Sequence, residues 1–142
     1  MKRAQRLEPV LQRLLEAERQ ARHRLVACEA QWATERTRLA DLHRYAGEYR
    51  QRTQAGAVPV ATLRDHQQFV GRLEQLALNQ ERMVQAAELA CDRAREELLR
   101  RQRRCEGLRR LLGRYRAQAV QAAERREQRT LDDWVSSRPP AG

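Results

Sequence analysis

Aromatic side chains are scarce in this sequence: one Phe, two Trp and three Tyr, 4% of 142 residues. Turn formers are scarce too, with six Gly and four Pro. Sandwiches and barrels are built from aromatic and β-branched strands joined by frequent turns, so the composition argues against both. Too little glycine is left for the loop-borne site of a conventional enzyme fold. No uninterrupted run of 18 apolar residues exists, which excludes a spanning helix. The first residues lack the apolar stretch of a signal peptide. Three cysteines without tight spacing fit a reducing compartment. Lysine is nearly absent: of 29 basic residues 28 are Arg, and against 19 acids they leave a net charge of +10. Leu, Ala and Val recur with a regular period, which disorder does not produce. What remains is one all-α domain's worth of long helix.

Inside the chain the turn signals cluster at Ala55-Gly56-Ala57-Val58-Pro59. Gly56 suits the residue just past a helix end, and Pro59 cannot continue that helix. Thr62 followed by Asp65 reads as a capping arrangement for a second helix. Pro9 is tolerable in a first turn or at a kink. The expected organisation is helix 1 over about 8–54, a loop at 55–61, helix 2 over about 62–135 and a tail at 136–142. All of it forms one coiled-coil hairpin spanning 1–142.

Both segments carry a heptad repeat. Helix 1 places Leu11, Glu18, Leu25, Trp32, Leu39 and Ala46 at a, and Leu7, Leu14, Ala21, Cys28, Glu35, Leu42 and Tyr49 at d. Helix 2 places Leu63, Val70, Ala77, Val84, Cys91, Leu98, Cys105, Leu112 and Ala119 at a. Its d positions run from His66, Leu73 and Gln80 through Ala87, Ala94, Arg101, Leu108 and Tyr115 to Ala122. A spacing of 3.5 sustained this long predicts a left-handed coiled coil. In a tight antiparallel hairpin, facing residues have numbers with a constant sum. A sum of 119 matches a of one helix with d of the other throughout, and its midpoint falls in the expected loop. Large then faces small at several layers, as with Trp32 and Ala87 or Leu42 and Ala77. Glu18 falls opposite Arg101. Helix 1 should be about 70 Å long and helix 2 about 110 Å, so the second helix outruns the first by about 20 residues.

Catalytic and metal-binding signatures are missing. The sequence has no H-E-x-x-H, P-loop, G-x-S-x-G or dinucleotide fingerprint. His23, His43 and His66 are dispersed, and Cys28, Cys91 and Cys105 fall at core positions as structural thiols. Glu18 and Glu35 are core-position acids suited to salt bridging or register selection. The reading is a protein with no enzyme activity and no cofactor.

Two surface features stand out. From Arg93 to Arg129 there are 13 Arg against five acids. Such a helix can follow a phosphate backbone. However, these arginines are interleaved through the heptads with acids among them, and no aromatic platform for single strands accompanies them. A basic helix meeting an acidic protein surface is the better reading, and nucleic acid the weaker one. The apolar stripe is used by the partner helix, which leaves none for lying on a membrane. The second feature lies near the turn, where Leu42, Tyr45 and Tyr49 of helix 1 meet Phe69, Leu73, Leu76 and Gln80 of helix 2. Tyr49 and Leu73 sit on the seam, whereas Tyr45, Phe69 and Leu76 at g flank it as a docking patch.

The pattern L-x-x-Y-x-x-E-Y at Leu42, Tyr45, Glu48 and Tyr49 resembles the flagellar FliJ family, as does H-Q-Q-F-V-x-x-L-E from His66 to Glu74. Length, unequal hairpin and basic charge are similar to that family as well. The resemblance implies a non-enzymatic component of the flagellar type III export apparatus, at the cytoplasmic face of the cell membrane and not inserted in it. It implies a stalk that binds the hexameric export ATPase, reaches the cytoplasmic domain of the export gate, a membrane protein, and escorts export chaperones. The gate-facing surface would comprise Leu42, Tyr45, Tyr49, Phe69, Leu73, Leu76 and Gln80; Leu76 and Gln80 depart from the family's usual small residue and histidine. The ring-binding end would be the start of helix 1 and the end of helix 2, where Arg103, Arg104, Arg109 and Arg110 supply the charge. The equivalent stalk of a virulence-type secretion system and a nucleic-acid-binding basic coiled coil are the alternatives.

Overall fold

A computed structural model describes residues 2–54 and 60–138. It contains two helices, α1 over Lys2–Gln54 and α2 over Val60–Ser137. The fold is the expected all-α helical hairpin with a longer second helix. The proposed turn at Ala55–Pro59 and the last four residues of the tail lie outside the described residues.

The helix ends differ from the sequence reading in two places. α1 is helical from Lys2 and carries Pro9 inside it. Proline costs that turn one backbone hydrogen bond. The early turns are held by packing instead: Ala4 and Leu11 form a buried cluster with Leu112, and Leu7, Leu15, Leu108 and Tyr115 pack around it. α2 is already under way at Val60, so Thr62 lies within its first turn and does not cap it.

The chain divides into two compact units. Unit 1 comprises residues 1–19 with 99–142, and unit 2 comprises residues 20–98. In unit 1, α1 and α2 run antiparallel, with Glu8 paired to Arg116 at 3.2 Å and the Arg3 guanidinium over the Tyr115 ring. Beyond about residue 117, α2 has no α1 segment beside it among the described residues. An open groove of about 740 Å³ forms there, lined by Ala119, Ala122 and Ala123 and rimmed by Lys2, Arg3 and Arg126.

Unit 2 is antiparallel as well. Thr53 meets His66 at 3.3 Å, a pair whose numbers sum to 119. Three ion pairs bridge its helices, Arg50–Glu74, His43–Glu81 and Glu29–Arg95, and each sums to 124. These are e positions on both helices, the charged flank expected of an antiparallel seam whose facing residues sum to 119. Every buried side chain among the described residues sits at a or d, including Ala21, Ala46, Leu73, Ala77 and Cys91.

Two polar groups interrupt the core of unit 2. Glu35 is 2% exposed and Gln80 8%. The Gln80 amide donates to the Glu35 backbone carbonyl at 3.0 Å and to its carboxylate. Gln31 and Arg38 donate to the other carboxylate oxygen at 2.7 and 3.2 Å. A buried carboxylate is tolerated when its lone pairs are filled in this way. Trp32 packs at an a position beneath the Arg36 guanidinium, 4.1 Å from the ring centroid. Its indole N–H is buried and has no hydrogen-bond partner.

Candidate functional site

The seven residues singled out near the turn all lie in unit 2, on both helices. Their heptad positions divide them. Leu42, Tyr49, Leu73 and Gln80 occupy d, and the seam takes them in: Leu73 and Gln80 are buried, Leu42 and Tyr49 half-buried. Tyr45, Phe69 and Leu76 occupy g and remain 51, 39 and 52% exposed. Tyr49 joins the two groups. Its ring lies 4.6 Å from that of Phe69, tilted by 39°, and 5.4 Å from that of His66. Phe69 is therefore partly a packing residue, a role its g position alone did not announce.

Gln80 is turned inward and its amide is spent on Glu35. The sequence marked Glu35 as a core acid and Gln80 as a surface residue; their pairing is the feature it missed. Both are d residues, one step diagonal from the facing pairs, so a rule that matches a with d passes over them.

The four arginines chosen for the ring lie in unit 1. Arg103, Arg104, Arg109 and Arg110 are all exposed. Arg110 pairs with Glu106 at 2.6 Å one turn back. Charge separates the two units more sharply than the sequence run suggested. Unit 1 carries 17 basic residues and eight acids, net +9; unit 2 carries 12 and 11, net +1.

The cysteines are poor nucleophiles. Burial pushes the Cys91 thiol above its ordinary range, and the facing Cys28 adds to the effect. Burial also raises the Cys105 thiol, and its hydrogen bond to Glu18 adds to that. The proton is held on sulfur in both cases, the reverse of an activated thiol. All three are free thiols. Among the described residues no group of three His, Cys, Asp or Glu could hold a metal ion, and no helix is long and apolar enough to cross a membrane.

Two antiparallel helices with an exposed aromatic flank in one unit and an arginine field in the other match the family described as Flagellar FliJ protein over residues 1–139. The chain belongs to the flagellar FliJ family. It is thus a component of flagellar protein export, of the stalk type. No curated protein and no solved structure matches it.

Proposed function

We propose that this chain is a non-enzymatic stalk that couples ATP hydrolysis by the hexameric export ATPase to the export gate. Unit 1 meets the ATPase ring through Arg103, Arg104, Arg109 and Arg110. Unit 2 meets the cytoplasmic domain of the gate through the surface that includes Tyr45, Phe69 and Leu76. Leu42, Tyr49, Leu73 and Gln80 support that surface from within the seam. Export chaperones are a third class of partner, and the site of action is the inner face of the cell membrane at the flagellar base.

The observation that carries the reading is the separation of two chemistries. Exposed aromatic and aliphatic groups stand in a nearly neutral unit, and a net +9 stands in the other. Large apolar groups anchor protein interfaces, whereas charge fields steer encounter. A pull-down of the intact chain with the export ATPase and, separately, with the gate's cytoplasmic domain tests it. Both should be retained. Loss of the ATPase alone should follow Arg→Glu reversal in unit 1, and loss of the gate alone should follow Tyr45→Ala. Retention of duplex DNA at about 0.15 M salt, with neither protein bound, would favour a phosphate partner for the arginines instead.

A further inference from the structure

The two flanks of the unit 2 seam have opposite chemistry. On the e flank, charges are matched across the helices by Arg50–Glu74, His43–Glu81 and Glu29–Arg95. On the g flank, α2 presents Phe69, Leu76, Met83 and Ala90, one in each of four successive heptads. Facing them from α1 are Tyr45, Arg38, Gln31 and Arg24. No acid occurs at any of these eight positions. Phe69, Leu76 and Met83 are 39, 52 and 49% exposed. Arg24 and, one position outward, Arg72 make no ion pair among the described residues. Arg38 gives one N–H to Glu35 while its side chain stays 59% exposed.

An apolar residue every seven positions is the signature of a helix–helix seam. Here the seam faces outward, and its rim is cationic. We propose that the g flank of unit 2 is the docking groove for a third helix, supplied by a partner, whose apolar stripe is bordered by Glu and Asp. Three heptads of rise set its length at about 21 residues, or about 32 Å. Charge chooses among occupants. A second copy of this chain would bring its own arginines against Arg24, Arg38 and Arg72, and like charges oppose that contact. Nucleic acid has no use for a stripe of Leu and Met. An acidic amphipathic helix satisfies both the apolar knobs and the free guanidinium donors. The inference deepens the gate reading where it uses Tyr45, Phe69 and Leu76; Met83, Ala90 and Arg24 lie outside that reading.

The test uses the full chain and a fluorescent 21-residue peptide with Leu at heptad spacing and Glu at its flanks. A second peptide carries Lys in place of each Glu. The Glu peptide should bind, and the Lys peptide at least about tenfold more weakly. Met83→Glu should weaken the Glu peptide about tenfold or more, and Met83→Leu should retain it. Arg24→Glu should weaken it several-fold at low salt and less as salt rises. Circular dichroism should be unchanged in all three variants, since both sites are exposed. Equal binding of the two peptides, or an effect of Met83→Glu within about twofold, overturns the inference. So does loss of peptide on reversing Arg103, Arg104, Arg109 and Arg110, which puts the contact in unit 1. A wild-type dimer that Met83→Glu dissolves in sedimentation also overturns it, by making the occupant a second copy. Gate binding on the same variants separates this inference from the reading beneath it. Peptide held through Met83 with no gate binding by the wild type leaves the groove standing and removes the gate. Gate binding lost in Tyr45→Ala, with no peptide held at all, does the reverse.

Discussion

Tyr45 and Phe69 differ in what their removal tests. Tyr45 stands half exposed with the Arg44 guanidinium 5.4 Å from its ring, and no seam residue depends on it. Tyr45→Ala should leave unfolding within about 0.5 kcal/mol of wild type. If it anchors the gate, its loss should weaken that complex by about 2 kcal/mol, roughly 30-fold. Phe69 leans on Tyr49, so Phe69→Ala should cost about 1 kcal/mol of stability besides any loss of binding. Measuring unfolding and gate affinity on both variants separates packing from contact. A Tyr45 variant that unfolds early yet binds the gate normally assigns that ring to the core. Glu35 offers a second test. Gln80→Leu removes a donor from a buried carboxylate and should cost about 1–3 kcal/mol in urea unfolding. Glu35→Leu together with Gln80→Leu should recover most of that loss. If the double variant is no better than the single, the pair contributes more than mutual satisfaction. The raised thiols of Cys91 and Cys105 add a pH effect. Their neutral form is favoured in the fold. Their contribution is therefore intact below about pH 9, the unfolded value, and is lost as pH climbs through the higher folded values. Alkylation at pH 8 should be slow at both and should accelerate in urea.

At the scale of helices, the seam was the most legible part of the sequence. Buried and half-buried residues follow a and d because only these positions meet the other helix, and the Thr53–His66 contact falls on the expected sum. Helix ends were less legible. Pro9 reads locally as a boundary, but Ala4 and Leu11 against Leu112 bury enough surface to carry α1 past it. The division of the loop-end patch into seam and flank was visible in the heptad letters; the tilt of Phe69 onto Tyr49 was not, because ring orientation is set by packing. Glycines offer a test at this scale. Gly71, Gly107 and Gly113 lie inside α2, and a methyl group at each would meet open space. Glycine there serves no close approach and loosens the unfolded chain. Each Gly→Ala change should add about 0.5–1 kcal/mol, and the triple variant should melt measurably higher. A fall in melting temperature would mean that one of these sites has a packing role in solution.

Across the whole molecule, charge is the property that separates functions. Reversing Arg103, Arg104, Arg109 and Arg110 to Glu takes the net charge from +10 to +2. It touches no core residue, because all four are exposed. Stimulation of the export ATPase should fall sharply at low salt and the deficit should narrow as salt rises, since screening removes long-range attraction in the wild type too. Helicity should be retained. Stimulation unchanged at low salt would remove the ring from unit 1. The placement of Trp32 and Trp134 bears on how these experiments are read. Trp32 belongs to unit 2, half-buried under Arg36, and Trp134 belongs to unit 1, 54% exposed under Arg138. Each unit therefore carries its own intrinsic fluorophore, one in an apolar setting and one in water. Emission from Trp32 should lie to the blue of that from Trp134, and acrylamide should quench the second far more readily. With Trp134→Phe as the companion variant, a single titration reports unit 2 alone, and the difference spectrum reports unit 1. Whether the two units melt together, and which of them a partner protects, is thus written in the light the protein already emits.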